Sequence, residues 1–271
     1  MAKTICIVNQ KGGVGKTTTS VNLSASLANQ GKRILIVDLD PQGNASSGLG
    51  LKRHEYQDAN VYHLLIGECG VKDVIYPSAF KNLHIIPANA DLVGAEIELV
   101  NEHQREYRLK EAFSKIQEDY DFIFIDCPPS LGLLTLNALT SAQSFLVPLQ
   151  CEYYALEGLS QLLNTAGLVK KSLNPSLKIE GILLTMFDSR NNLSHQVVNE
   201  IRSHFSEKVF ESIIPRNVRL SEAPSHGLPI FEYDKKSVGS RKYMELAEEI
   251  INNNKDKVAS QVSHGEQHAQ Y

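Results

Sequence analysis

One run near the N-terminus carries the clearest chemistry in the chain: Lys11-Gly12-Gly13-Val14-Gly15-Lys16-Thr17-Thr18. Glycines at this spacing let the backbone curl so that successive N–H groups point at one anion, and a helix starting directly afterwards adds a favourable dipole. The run therefore predicts a cradle for phosphate oxygens, built from Lys11, Gly12, Gly13, Val14, Gly15, Lys16, Thr17 and Thr18. In a P-loop site a lysine placed as Lys16 rests on the β- and γ-phosphates, and a hydroxyl placed as that of Thr17 reaches Mg²⁺. The general pattern GxxxxGKT fails at its first position, where Gln10 stands, and the variant KGGxGKT is met instead. A glycine-rich turn beside a surface lysine is the plainer alternative, but the run lies between a β-like segment and a helical one, the context the motif demands.

Two carboxylate segments belong with it. Asp38-Leu39-Asp40-Pro41-Gln42-Gly43-Asn44 follows a second β-like run, and Asp126-Cys127-Pro128-Pro129 follows another. An aspartate after a strand is ordinarily a helix cap or turn former. Three strand-end loops converging on one ligand favour the chemical reading, with Asp126 on the Mg²⁺ side, acting through water, and Asp40 beside it. The ligand set implied is a nucleoside triphosphate with Mg²⁺.

These loops need strands and helices to hold them. Apolar runs at Thr4–Val8, Arg33–Val37, Leu83–Ile86, Asp121–Ile125, Phe145–Val147, Ile179–Leu184 and Val209–Ile214 read as strands buried on both faces. Amphipathic stretches at Thr18–Asn29 and Tyr154–Lys171 alternate with them. The fold class is α/β: a single domain with a twisted, mostly parallel sheet, helices on both faces, and ligand loops at the strand carboxyl ends. The domain is expected over residues 1–254, followed by a flexible polar tail over 255–271.

With 271 residues, 42% hydrophobic and 21% charged, the chain can bury a sizeable core. No apolar run is long enough to span a bilayer and no signal-peptide pattern opens the chain, so a cytoplasmic protein without membrane contact is expected. Cys6, Cys69, Cys127 and Cys151 form no CxxC pair, which excludes a zinc module or disulfide scaffold on spacing. The net charge is −4, yet Lys170–Lys242 holds 12 basic against 8 acidic residues, leaving room for a basic surface on an acidic protein.

KGGVGKTT, VDLDPQGN, DCPPSLG and IPRNVRLSEAPSHG together resemble the ParA/Soj family of chromosome-partitioning ATPases, over Ala2 to about Asn252. The resemblance implies a single-domain P-loop NTPase with slow basal ATP hydrolysis that forms an ATP sandwich homodimer. Within it, Lys11 crosses to the partner subunit's phosphates, adding charge where the γ-phosphate charge develops. It implies that Asp40 orients the attacking water, that Asp126 holds the Mg²⁺ shell, and that Met186, Pro215 and Asn217 form the adenine end. It further implies ATP-dependent binding of double-stranded DNA without sequence preference, hence nucleoid association, through Arg190, Arg216 and Arg219, extended by Lys235, Lys236 and Arg241. A ParB-type centromere-binding protein is the implied partner that stimulates hydrolysis. The first strand begins at once, so no N-terminal helix-turn-helix and no operator-specific binding is expected.

Three alternatives share parts of the pattern. A MinD-like division-site ATPase has the same loop but needs an amphipathic C-terminal helix, and Val258-Ala259-Ser260-Gln261-Val262 turns polar too soon. A reductase resembling the nitrogenase iron protein needs paired cysteines, and only Cys127 is well placed. A module that holds nucleotide without hydrolysing it would not require Lys11 or Asp40.

Overall fold

The computed structural model describes residues 1–267, with side chains described through Asn254. Seven strands form one sheet in the order β3-β4-β2-β5-β1-β6-β7. Their ranges are β1 Lys3–Ile7, β2 Ile34–Asp38, β3 Tyr76–Pro77, β4 Leu83–Ile86, β5 Phe122–Asp126, β6 Ser144–Gln150 and β7 Lys178–Thr185. All neighbours run parallel except the short edge strand β3, which is antiparallel to β4.

Strand alternation sends neighbouring side chains to opposite layers. From β1, β2 and β5, Ile5, Ile7, Ile34, Ile36, Phe122 and Phe124 pack beneath α1 (Lys16–Asn29), α2 (Asn44–Gly48), α9 (Val218–Glu222), α10 (Ile230–Tyr233) and α11 (Val238–Gln267). Cys6, Leu35, Val37, Ile123 and Ile125 face α3 (Val61–Ile66), α4 (Leu92–Glu98), α5 (Arg108–Ser114), α6 (Leu133–Ser141), α7 (Ala155–Ser172) and α8 (Asn192–Phe205). Each fully buried aliphatic side chain contributes about 1.5–3 kcal/mol of burial free energy. Helix α1 is buried nearly all round, and its small residues Ser20, Ser24 and Ser26 let it sit close on the sheet.

Six of the seven expected strands form. Val209–Ile214 does not become a strand: it meets the outer side of β7 at one isolated bridge, Ile182 to Val209, and at two widely spaced hydrogen bonds, from Phe210 N–H to the Ile182 carbonyl at 3.0 Å and from Ile214 N–H to the Leu184 carbonyl at 2.9 Å. Between them the N–H groups of Glu211 and Ser212 are taken by the Glu249 carboxylate on α11, at 2.8 and 3.1 Å, which interrupts the ladder. The Phe210 ring also lies over Gly181, where a Cβ would stand 2.5 Å from it. The final helix α11 continues through Gln267, past the boundary expected at 254. The expected polar tail otherwise falls on side chains outside the described ones, and residues 268–271 lie outside the described residues altogether.

Because the strands are parallel, the carboxyl ends of β2, β5, β1, β6 and β7 open on one edge. The loops carrying Asp40, Asp126, Lys16, Glu152 and Met186 meet there.

Candidate nucleotide site

The loop after β1 has the backbone its glycines permit. Gly13 and Gly15 have φ of +74° and +91°, the left-handed region where a side chain is strained. No atom stands within 4 Å of a Cβ built at Gly12 or Gly13, so the loop faces open space. Gly15 caps α1 without a side-chain hydrogen bond, and the first turn of α1 has no acidic residue. Its leading N–H groups are therefore available to an anion.

Two lysines of this loop sit differently. Lys16 is only 7% exposed, and its ammonium donates to the Lys11 carbonyl at 3.1 Å. Burial lowers its pKa, while Asp126, Cys127 and Asp40 pull the other way. The Lys11 side chain is half exposed and ion-paired with Glu152, in the loop after β6. Its backbone is fixed by Asn9, whose Oδ1 accepts the Lys11 N–H at 3.0 Å and whose Nδ2 donates to the Pro148 carbonyl at 2.8 Å. Thr185, at the end of β7, donates its hydroxyl to the Val14 carbonyl at 2.9 Å. Asn9 and Thr185 thus tie the cradle to β6 and β7.

Asp38 and Asp126 end the adjacent strands β2 and β5, directly opposite in register, and both are fully buried. Burial raises both pKa values. Asp38 is raised further by Asp126, and Asp126 is held down by the Thr17 and Ser20 hydroxyls. Ser20 donates to Asp126 Oδ1 at 2.8 Å, whereas Asp126 Oδ2 is buried with no hydrogen-bond partner. An orphaned carboxylate oxygen beside Thr17 fits a hydrated divalent cation that takes its remaining ligands from phosphate and water. Among the described residues no group of three or more His, Cys, Asp or Glu gathers to hold a metal by itself.

Asp40 is placed by Asp38. The Asp38 carboxylate accepts the Asp40 N–H at 3.1 Å through Oδ1, and both the Ser46 N–H and hydroxyl, at 2.9 and 2.8 Å, through Oδ2. Asp40 Oδ1 accepts the Gln42 N–H at 3.0 Å, closing the turn. Gly43 ends that turn at φ +65°, where a Cβ would lie 2.7 Å from the Ala88 carbonyl oxygen, so only glycine fits.

Beyond the cradle lies a cavity of about 410 Å³ lined by Thr17, Thr18, Asn44, Met186, Pro215 and Asn217 among others. Its size suits a nucleoside. Met186 has φ +51°, a left-handed non-glycine residue at the end of β7, the kind of strained position that gathers at ligand sites.

The chain matches the AAA domain family over residues 2–179. It is 57% identical over 251 residues to the chromosome partitioning protein ParA of Myxococcus xanthus, covering 93% of this chain and 88% of that one. Identity to the sporulation initiation inhibitor protein Soj of Bacillus subtilis is 58% over 253 residues, covering 93% and 100%. The chain belongs to the ParA/Soj family of chromosome-partitioning ATPases. Among solved structures, cobyrinic acid a,c-diamide synthase from Mycobacterium smegmatis with bound ADP and magnesium superposes with a TM-score of 0.83 at 38% identity, covering 94% of this chain and 96% of that one. The cell division ATPase MinD of Pyrococcus furiosus superposes at 0.77 with 29% identity, covering 93% and 99%. KGGVGKTT, VDLDPQGN and DCPPSLG thus sit at the carboxyl ends of β1, β2 and β5, whereas IPRNVRLSEAPSHG starts at the end of a segment that forms no strand.

Of the basic residues expected at a DNA surface, Arg216 lines this cavity, while Lys235 and Arg241 line a separate depression beside α10 and α11. A bridge between Phe187 and Pro215 brings Arg190 and Arg216 to one edge, where Arg190 pairs with Asp188 at 2.9 Å. Arg219 on α9 pairs with Glu222 at 2.8 Å and Asp234 at 3.5 Å. Lys235 and Lys236 follow Asp234 directly, and Arg241 lies in the first turn of α11. Among the described residues no helix is long and apolar enough to cross a membrane.

Sequence reasoning alone does not single out Asn9, Asp38, Ser46, Glu152 or Thr185. Asn9 and Asp38 stand against or inside the phosphate-loop and VDLDPQGN motifs, where proximity is the only signal. Glu152 and Thr185 act through contacts between separate strand ends, and Ser46 reaches Asp38 from α2; periodicity reveals neither.

Proposed function

We propose that this ParA/Soj family member is an ATP-dependent partitioning switch. ATP with Mg²⁺ occupies the cradle, two copies close on two nucleotides, the dimer holds DNA without sequence preference, and hydrolysis releases it. Lys16 and the leading N–H groups of α1 bind the phosphates, while Met186, Pro215 and Asn217 hold the adenine end. Thr17 and Asp126 would hold the hydrated Mg²⁺, which supplies charge neutralisation on the β- and γ-phosphates. Asp40, fixed by Asp38, accepts a hydrogen bond from the water that attacks the γ-phosphorus, and ADP is the leaving group.

The observation that carries this reading is the contrast between two lysines in one loop. Lys16 is buried at the cradle, whereas Lys11 is solvent-facing and held only by an exposed ion pair, which is worth about 1 kcal/mol or less. A lysine so placed is free to leave Glu152 and neutralise phosphate charge on a second copy, the work of an arginine finger. Arg190, Arg216 and Arg219, with Lys235, Lys236 and Arg241, supply phosphate contacts for DNA once the surface ion pairs of Arg190 and Arg219 exchange partners. A ParB-type protein stimulates turnover, and the protein works in the cytoplasm on the nucleoid.

Size-exclusion chromatography with light scattering in saturating ATP tests this directly. Wild type and Asp40→Ala are expected to run as dimers, the latter without producing ADP, and Lys11→Ala as a monomer that still binds ATP. A Lys11→Ala protein that dimerises like wild type contradicts the crossing lysine.

A further inference from the structure

The amino ends of β5, β1, β6 and β7, adjacent in the sheet, open on the edge opposite the nucleotide site. The length of β1, about 15 Å of extended chain, separates the two edges. A cavity of about 1040 Å³ lies at this far edge, more than twice the 410 Å³ of the nucleoside cavity. Its floor is preformed. Glu180, buried near the start of β7, accepts the Lys3 ammonium at 2.6 Å and the Ser144 hydroxyl at 2.8 Å. The Gln143 side chain accepts the Thr4 N–H and donates to the Ala2 carbonyl at 3.3 Å. Ala2, Phe122 and Ile179 give the cavity an apolar side.

Three further lysines from separate elements line it: Lys170 on α7, Lys178 at the first position of β7, and Lys208 in the 3₁₀ turn Ser206–Lys208. All three are exposed, and none of their ammonium groups has a hydrogen-bond or ion-pair partner among the described residues. The two carboxylates of the lining are already engaged, Glu180 by Lys3 and Asp121 by Arg33 at 3.0 Å. Like charges gathered round one cavity repel one another, a cost that an anion removes. The dipole of α7 favours Lys170 in its last turn, but no such reason places Lys178 and Lys208.

We propose that this cavity binds a small molecule carrying two or more phosphates, at a site separate from the nucleotide cradle. Three ammonium groups on separate elements suit phosphates spread over several positions, and lysine meets each as a point charge. A nucleic-acid backbone suits a charged stripe along a surface, whereas these lysines surround a concavity with an apolar side.

Isothermal titration calorimetry of the full chain with inorganic tripolyphosphate tests the site. It is run in Lys16→Ala, so that the cradle contributes little. Saturable binding is expected there, weakened about ten-fold or more when Lys170→Glu/Lys208→Glu is added and less strongly by Lys178→Gln alone. All three positions are exposed, and an unchanged melting temperature checks that the fold is kept. Inositol hexakisphosphate is titrated alongside: tighter binding than tripolyphosphate assigns the site to an organic polyphosphate, weaker binding to an inorganic one. Tripolyphosphate binding in wild type that vanishes in Lys16→Ala overturns the proposal, because the cradle then accounts for all of it. Equal affinity with and without the charge reversals also overturns it. So does a DNA duplex that loses affinity on the charge reversals while tripolyphosphate does not bind, which assigns the lysines to nucleic acid. The ATP affinity of wild type and Lys16→Ala is measured separately, so failure of the cradle reading and failure of this site are told apart.

Discussion

Lys16 is buried in the cradle and Lys11 reaches out to solvent from the same loop, so their substitutions should separate nucleotide binding from assembly. Lys16→Ala removes a charge-assisted contact to phosphate, and ATP affinity in equilibrium titration should fall roughly 10- to 100-fold with the fold retained. Lys11→Ala should keep most of that affinity. At the residue scale the sequence is informative wherever a function uses contiguous residues, as in Lys11 to Thr18. It is silent where one side chain positions another across strands, as Thr185 does for Val14 and Asp38 for Asp40. Gly43 shows the boundary between the two cases. It stands inside the VDLDPQGN motif, but the reason for it is the approach of the Ala88 carbonyl, from a segment remote in sequence. Gly43→Ala should therefore cost about 1–3 kcal/mol in urea unfolding and slow hydrolysis, because the Asp40 turn must shift.

The paired ends of β2 and β5 bring two carboxylates together inside the protein, and that element has its own pH signature. Both groups are raised above their unfolded values, chiefly by burial. Between the ordinary carboxylate value of 3.8 and about 7 the folded state holds protons that the unfolded state has released, so stability falls as pH rises through that window. Asp126→Asn removes one of the two buried charges and can still accept from Ser20. Without nucleotide it should melt roughly 3 °C or more above wild type at pH 8, with the gain fading by pH 5, while losing the stabilisation wild type gains from ATP and Mg²⁺. A melting temperature at pH 8 equal to or below wild type would refute the buried-charge account. Six strands are legible in the sequence because short, continuous apolar runs bounded by turn residues suit strands covered on both faces. Val209–Ile214 has the same composition but spends the Glu211 and Ser212 N–H groups on Glu249, a tertiary competitor invisible to local pattern. The two-residue β3 is too short to leave a period.

For the whole molecule, charge and proposed partner pull against each other: net −4 repels duplex DNA at long range, so binding must come from a local patch summed over two copies. About three phosphate contacts per subunit give a dimer slope of log K against log salt of roughly −5. Arg219→Ala, acting in both copies, should reduce that slope by about two and weaken all sequences alike, with ATP-driven dimerisation unchanged. The central claim is that nucleotide state controls DNA affinity, and it is tested most directly by fluorescence anisotropy of one labelled duplex titrated with the protein in ATP, in ADP and without nucleotide at fixed salt. Tight binding in ATP alone, insensitive to the sequence of the duplex, is the expected result. Equal affinity in all three states, or binding confined to one duplex sequence, would contradict it.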